Sequence, residues 1–275
     1  MRYTRGAKMK AMLCETKTPE QARELCKSGE WIIEQKIDGC RGYIKDKRLY
    51  NRRGEDITEK FPEFADGLQS MNGVFDGELL TTSGEFGDIQ GRMHMKDKFL
   101  ISVLVKKSPA RFVLFDVLDS EEDDTPLIDR KKWIAKLVDT GVLPSWVMPL
   151  RWSSDFDDMW RQVEENGWEG VVIKKANSRY ENRRSNSWVK VKSWCETDAE
   201  FVKFEEHTHG ITIETADGRR ININGALAPP VKHKLIKDGK VTCEVQYMKS
   251  ALAGSDAWRF ASYRGMKLTT EVKHD

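Results

Sequence analysis

Hydrophobic periodicity changes character near residue 195, and that change limits what the chain can fold into. Up to there, short apolar runs that read as buried strands, "GVFDGELL" (73–80), "RFVLFDVL" (111–118), "EGVVIKK" and "SWVKVKSW", alternate with stretches of helical period. The helical stretches, "DRKKWIAKLVDTG" (129–141) and "DFDDMWRQVEENG" (155–167), each end in glycine, a common helix stop. After residue 195, "AEFVKFEEHTHGITIETADGRRININ" carries strand alternation and an Asp217-Gly218 hairpin turn. One short basic helix, "APPVKHKLIKDG", and strands near 240–248 and 257–263 complete the segment. The reading is an α+β chain of two domains, 1–195 and 196–275, the second a five-stranded OB-type barrel.

Composition supports that division and excludes other classes. A length of 275 residues suits one larger and one smaller domain. Hydrophobic content of 39% with 33% charged residues fits a globular chain rather than a disordered one. The net charge of +2 says nothing about partners, so local clustering must. No apolar run approaches the roughly 20 residues that span a bilayer, so no membrane role is expected. The start, "MRYTRGAKMKAMLCETKT", lacks the apolar core of a secretory signal. Cys14, Cys26, Cys40, Cys195 and Cys243 are scattered, which reads as reduced thiols in an intracellular (cytoplasmic) protein. His207 and His209 read as solvent-exposed rather than metal-ligating.

The stretch "WIIEQKIDGCRGYI" (31–44) is the most informative local feature. It follows a helix predicted from Thr18 as N-cap, Pro19 at the first helical position, Gln21 as capping-box partner and Gly29 at the end. It precedes a hairpin turning at Asp46-Lys47. Strand alternation places Glu34, Lys36 and Asp38 on one face. In isolation such a trio reads as a solvated surface pair.

The order of motifs overturns that reading. Lys36-x-Asp38-Gly39-x-Arg41 is followed by Arg52 in "YNRRGEDITEKFPEF", Glu78 in "FDGELL", Phe115 in "RFVLFDVL", Glu169 in "WEGVVIKK", and Lys190 with Lys192 in "SWVKVK". The series resembles the covalent nucleotidyltransferase superfamily, and specifically the ATP-dependent DNA ligases, over almost the whole chain. The resemblance implies an ATP-grasp-like adenylation domain of antiparallel sheets at 1–195, then an OB-fold domain at 196–275. It implies three steps: Lys36 attacks ATP to give lysyl-AMP, AMP passes to the 5′-phosphate at a nick, and the 3′-hydroxyl displaces AMP. Asp38 and Arg41 are implied beside Lys36 in catalysis. Glu34, Lys36, Arg41, Arg52, Glu78, Phe115, Glu169, Lys190 and Lys192 are implied as the ATP site, with Glu34 at the adenine amine and Phe115 stacked on the ring.

The residue types suit this chemistry. A lysine nucleophile needs a free amine, which desolvation or neighbouring cations provide. Glu78 and Glu169 are hard oxygen ligands suited to Mg²⁺ (or Mn²⁺). Alternation turns Val189 and Val191 one way and Lys190 and Lys192 the other. The segment 170–194 holds seven cations against Glu181 alone and reads as a DNA-backbone footprint, with Lys174, Arg183 and Arg184 as contacts. The glycine-broken segment 84–98 resembles the family's region reaching the nick, which implies Arg92 at the 5′-phosphate, with an ordinary surface loop as the alternative, and Arg264 in "WRFASYRGMKL" resembles the shortened terminal motif of phage-type enzymes. The expected partner is nicked duplex DNA, bound by a monomeric minimal ligase. RNA ligases and mRNA-capping guanylyltransferases share Lys-x-Asp-Gly, and a nick-binding protein without activity is the reading from another class.

Overall fold

In the computed structural model, which describes residues 11–120, 124–249 and 258–267, Leu13–Thr16 forms strand β1 and Pro19–Cys26 helix α1. The Thr18 side chain accepts from Gln21 N at 3.3 Å, and Gln21 Oε1 accepts from Thr18 N at 3.2 Å, which is the reciprocal cap predicted from sequence. Next come β2 (Trp31–Gln35), β3 (Cys40–Lys45), β4 (Arg48–Asn51), the single turn α2 (Ala65–Leu68) and β5 (Val74–Thr81). The β3–β4 hairpin turns at Asp46 and Lys47, with φ of 50° and 62°. Two positive φ values match the twist of the flanking strands.

Helices α3 (Phe86–His94) and α4 (Lys98–Lys107) then lead into β6 (Ala110–Leu118), α5 (Leu127–Asp139), β7 (Val147–Pro149), β8 (Trp152–Ser153) and α6 (Phe156–Asn166). β9 (Gly170–Lys175) and β10 (Arg184–Lys192) follow. The remainder is β11 (Cys195–His207), β12 (Gly210–Thr215), β13 (Arg220–Asn224), α7 (Ala228–Asp238), β14 (Val241–Lys249) and β15 (Trp258–Met266). The segment 84–98, for which a surface loop is the alternative reading, is instead mostly helix α3. Its buried stripe is Ile89 and Arg92, three residues apart on one helical face.

The described residues fall into two compact units, one within 1–165 and 169–192, the other within 166–168 and 193–275. The first contains two five-stranded sheets, ordered β1-β10-β9-β2-β8 and β4-β3-β5-β6-β7. Pairing is antiparallel except where β1 joins β10 and β6 joins β7. One core packs Phe61, Phe64, Ile89, Ile134 and Trp146 against the buried face of the second sheet. A smaller cluster of Met12, Tyr43, Val74, Phe115, Leu118, Tyr180 and Trp188 draws side chains from both sheets. The second unit is one sheet, β13-β12-β11-β14-β15, curled into a nearly closed barrel consistent with an OB-fold. Its core of Phe201, Ile211, Ile213, Ile221, Ile223, Val241 and Val245 is completed by Ala228, Val231 and Leu235 of α7.

Two charged side chains on the inner stripe of α5 fix that helix. Arg130 Nε and Nη2 donate to Asp116 Oδ1 and Oδ2 of β6 at 2.8 and 2.9 Å, with both side chains fully buried. Burial works against the Asp116 carboxylate, but hydrogen bonds and charge from Arg130 more than offset it and hold its pKa below the ordinary value. A buried pair of this kind is costly to break, because the remaining partner is stranded. Arg130→Met is expected to lower the unfolding free energy by about 3–5 kcal/mol in chemical denaturation. A loss under about 1 kcal/mol would show that the pair does not anchor α5.

Candidate active site

Both sheets of the first unit line a cleft of about 740 Å³. β2 ends at Gln35, so the strand alternation stops before Lys36, and Gln35 and Ile37 line the cleft alongside Glu34 and Lys36. Two glycines hold the lysine segment. A Cβ on Gly39 would lie 2.3 Å from Leu79 O, so only glycine lets this loop meet β5 beside Glu78. Gly170 has φ +143°, and a Cβ there would lie 1.9 Å from Val191 O. Its own carbonyl accepts from Lys36 N at 2.8 Å. Backbone contact to β9 therefore sets where Lys36 begins.

Lys36 Nζ donates to Glu169 Oε2. The other carboxylate oxygen, Oε1, lies 3.0 Å from Lys192 Nζ. Asp38 stands in the same short loop, partly exposed. Arg41 Nε donates to Asp76 Oδ1 at 2.7 Å, and its guanidinium lies 4.8 Å from the Phe115 ring centroid. Burial opposes the charge on Arg41, but Asp76 more than offsets it, so its pKa stands above the ordinary arginine value. Tyr180 Oη donates to Asp76 Oδ2 at 2.6 Å, completing a buried Arg–Asp–Tyr group. Exposed Arg52 lines the cleft from the turn after β4, and Lys190 lines it from β10. Burial, then the neighbouring Lys192, holds the Lys190 pKa below its usual range. Val189 and Val191 are fully buried on the opposite face of β10, as the alternation predicts.

Glu34 is 1% exposed and touches two lysines. Lys131 Nζ donates to its Oε1, and Lys174 Nζ lies 2.6 Å from its Oε2, out of line for a hydrogen bond. The Lys174 ammonium sits 3.9 Å from the Trp188 ring centroid and 4.5 Å from that of Phe115. Lys174 and Trp188 both line the cleft; Lys174 Nζ is held by its ion pair with Glu34, and the buried Trp188 Nε1 has no hydrogen-bond partner among the described residues. A cleft of this size with charged and aromatic side chains in its wall suits a polar ligand.

Two expected DNA contacts are corrected here. Arg92 is 1% exposed, donates to both Glu63 carboxylate oxygens at 2.9 and 2.6 Å and to Lys60 O at 2.8 Å, and lies 5.0 Å from the Phe61 ring centroid. It is the buried anchor of α3 and cannot reach a phosphate. Lys174 is 2% exposed and faces the cleft with Glu34, so it is not part of a surface footprint. Arg183 remains exposed beside Glu181. Arg184, also exposed, donates to Cys14 O and lines the cleft. Arg264, in the second unit, is exposed and donates to Gln246 Oε1.

The sequence reading missed Asp76, Lys131, Tyr180, Trp188 and Arg53, which also line or support the cleft. A signal existed for one of them. Leu127, Arg130, Lys131 and Ile134 share the buried stripe of α5, and a cation on an apolar stripe requires a buried partner.

Glu78 and Glu169 are hard oxygen donors of the type a divalent cation takes. Glu34 and Glu78 line the cleft, Glu169 stands beside Lys36, and no group of three His, Cys, Asp or Glu gathers as ligands among the described residues. Mg²⁺ suits such a site, because it takes one or two carboxylates and completes its shell with phosphate and water.

Burial pushes the Glu78 carboxyl up to about 7 from its ordinary 4.5; Arg41 and Lys36 oppose the shift, while Asp76 and Glu169 add to it. The folded chain then keeps a proton at Glu78 that the unfolded chain has released. Folded-state stability therefore declines as pH rises from 4.5 to about 7. Glu78→Gln should flatten that decline in melting temperatures measured across the same window. An identical pH slope in the variant would place the titration elsewhere.

The profile of the ATP dependent DNA ligase domain matches residues 9–192. The bifunctional non-homologous end joining protein LigD of Bacillus subtilis is 26% identical over 73% of this chain and 36% of its own length. A DNA ligase of Thermococcus fumicolans is 26% identical over 80% of this chain and 41% of its own. The chain thus spans less than half the length of these curated relatives. A solved Lig E DNA ligase, described as binding DNA with a minimal scaffold, superimposes with a TM-score of 0.68 over 94% of this chain and 99% of its own, at 17% identity. A mycobacterial DNA ligase D complexed with ATP gives 0.57 over 94% and 95%, at 21% identity. Those two likenesses concern the fold. The match over residues 9–192, which contain every element of the cleft, carries the assignment: the chain belongs to the ATP-dependent DNA ligase domain family.

Proposed function

We propose that this chain is an ATP-dependent DNA ligase that seals nicks in duplex DNA, with residues 1–195 as adenylation domain and 196–275 as OB-fold domain. The observation that supports this most is the joining of Lys36, Arg41, Arg52 and Lys190 with Glu34 and Phe115 in one cleft. A lysine nucleophile, cations for phosphates, and a carboxylate with an aromatic ring for a base form one nucleotide-sized site.

Lys36 Nζ attacks the α-phosphorus of ATP. An N–P bond forms, the bond to pyrophosphate breaks, and pyrophosphate carries away the electron pair. Glu169 is hydrogen-bonded to the amine whose proton must leave before its lone pair can attack. Arg41, Arg52 and Lys190 stabilise charge developing on the α-phosphate and the leaving group. Asp38 steadies the loop that presents Lys36. Glu78 and Glu169 would hold Mg²⁺, which when bound neutralises phosphate charge. Lys192, paired with Glu169, keeps that carboxylate in place. Glu34 accepts from the adenine amine, the Phe115 ring packs on the base, and Lys174 offers a buried donor beside them. The nick's 5′-phosphate then takes AMP from Lys36, and the 3′-hydroxyl displaces AMP to close the strand. Arg183, Arg184 and Arg264 are exposed cations suited to the DNA backbone.

Incubation with labelled ATP and a denaturing gel tests the first step. The wild type should retain label from ATP but not from GTP, Lys36→Ala should retain none, and Lys36→Ala should still seal a pre-adenylated nick to some extent. ATP-dependent turnover by Lys36→Ala would exclude the lysine as nucleophile, and labelling by GTP alone would favour a capping activity. For DNA contact, Arg183→Ala and Arg184→Ala should each reduce the salt slope of nick binding by about one, without altering base preference. Slopes equal to wild type in both would show these cations face solvent only.

A further inference from the structure

Phe115 is the extra residue of a β-bulge. Asp76 pairs with Asp116 and Gly77 with Leu114, which leaves Phe115 without a partner on β5. On the other edge of β6, β7 pairs with Phe112 to Leu114 only. A bulge re-aims its side chain and takes the residue out of the ladder, so the Phe115 carbonyl needs another donor. Lys131 of α5 is that donor. The same ammonium donates to Phe115 O and to Glu34 Oε1.

Charge compensation does not explain Lys131. Glu34 already has Lys174 Nζ 2.6 Å from its other oxygen. Two lysines and one glutamate, with side chains at most 3% exposed, leave a surplus positive charge in the wall of the cleft. Burial lowers the Lys131 pKa, with Glu34 acting against that shift, so the extra charge is held at a cost. An apolar side chain would fill the same space without it. What the ammonium adds is geometry: one group sets the direction of a carboxylate on β2 and the carbonyl of the bulge that aims Phe115.

We infer that Lys131 is a positioning residue for purine selection, fixing the Glu34 carboxylate in line with the exocyclic amine at C6 while holding the Phe115 ring against the same base. This rests on the nucleotide-binding role proposed above for the cleft. A fixed buried acceptor rejects a base that offers it no donor, because the acceptor is then left unpaired; a carboxylate free to turn discriminates less.

The test compares ATP with purine riboside triphosphate, which carries hydrogen in place of the 6-amino group. For the full chain, Lys131→Met and Lys132→Met, two quantities are measured with both nucleotides: kcat/KM of lysyl adduct formation and the dissociation constant by calorimetry. Lys132 is exposed on the same helix and pairs with Asp129 at 2.8 Å, so its variant should behave as wild type. Lys131→Met should lose at least about tenfold of the preference for ATP, through weaker use of ATP with the analogue nearly unchanged. Lys131→Gln, which keeps a donor for one of the two acceptors, is held to the same ratio if methionine unfolds the chain. An unchanged ratio, an equal loss for both nucleotides, or a wild type indifferent to the amine would overturn the inference. Absence of a covalent adduct in the wild type, with a Lys131-dependent ratio still present in binding, would remove the ligase reading and leave this inference standing.

Discussion

Two consecutive cations on one helix, Arg130 and Lys131, join the two sheets whose separation makes the cleft. Arg130 binds Asp116 on β6, in the second sheet. Lys131 binds Glu34 on β2, in the first sheet, and the Phe115 carbonyl on β6. A helix can present adjacent residues to two surfaces only where it lies across the line between them, 100° of rotation apart. These pairs are buried, so neither can relax into water, and the spacing of Glu34 from Phe115 follows from them. Apolar packing alone would bring the sheets together without fixing that spacing, because hydrophobic contact is not directional.

The placement of Lys36 depends on a second constraint, close backbone approach at two glycines. Gly170 leaves room for Val191 O, and its carbonyl accepts from Lys36 N, so β9 carries both the start of the lysine loop and, one residue earlier, Glu169. Gly39 lets the far end of the loop touch β5 beside Glu78. The ordering of Lys36 against Glu169, Lys192 and Glu78 is therefore a property of strand spacing. Side-chain contacts refine it. Long, flexible lysine and glutamate side chains lose rotamer freedom on forming such contacts, and rigid strand ends limit how much must be lost.

Cationic residues in this chain serve three different purposes that a charge count merges. Arg92 and Arg130 are internal anchors, each chelated by a carboxylate on another element. Arg41, Lys174 and Lys190 line the cleft. Arg183 and Arg264 face solvent. Only the last group keeps the hydration and freedom that long-range attraction to a polyanion uses, which is why the basic run at 170–194 overstates the surface charge.

Local rules determined much of this protein from sequence alone. The reciprocal cap at Thr18, the Asp46-Lys47 turn, the opposed faces of Val189 and Lys190, and the strand-rich segment after residue 195 all follow from spacing and backbone preference within a few residues. The ordered motifs also contain Glu34, Lys36, Arg41, Arg52, Glu78, Phe115 and Lys190, which line one cleft. Tertiary structure decided the rest. Arg92 is buried because Glu63, 29 residues away, binds it, and Lys131 supports the cleft from behind because Glu34 lies 97 residues away in sequence yet within hydrogen-bond reach. Whether a cation is solvated or internal depends on a partner brought by the fold, and no local pattern carries that partner's position. The bulge at Phe115 is of the same kind: it is a mismatch between two strands, and it exists only once β5 and β6 have paired.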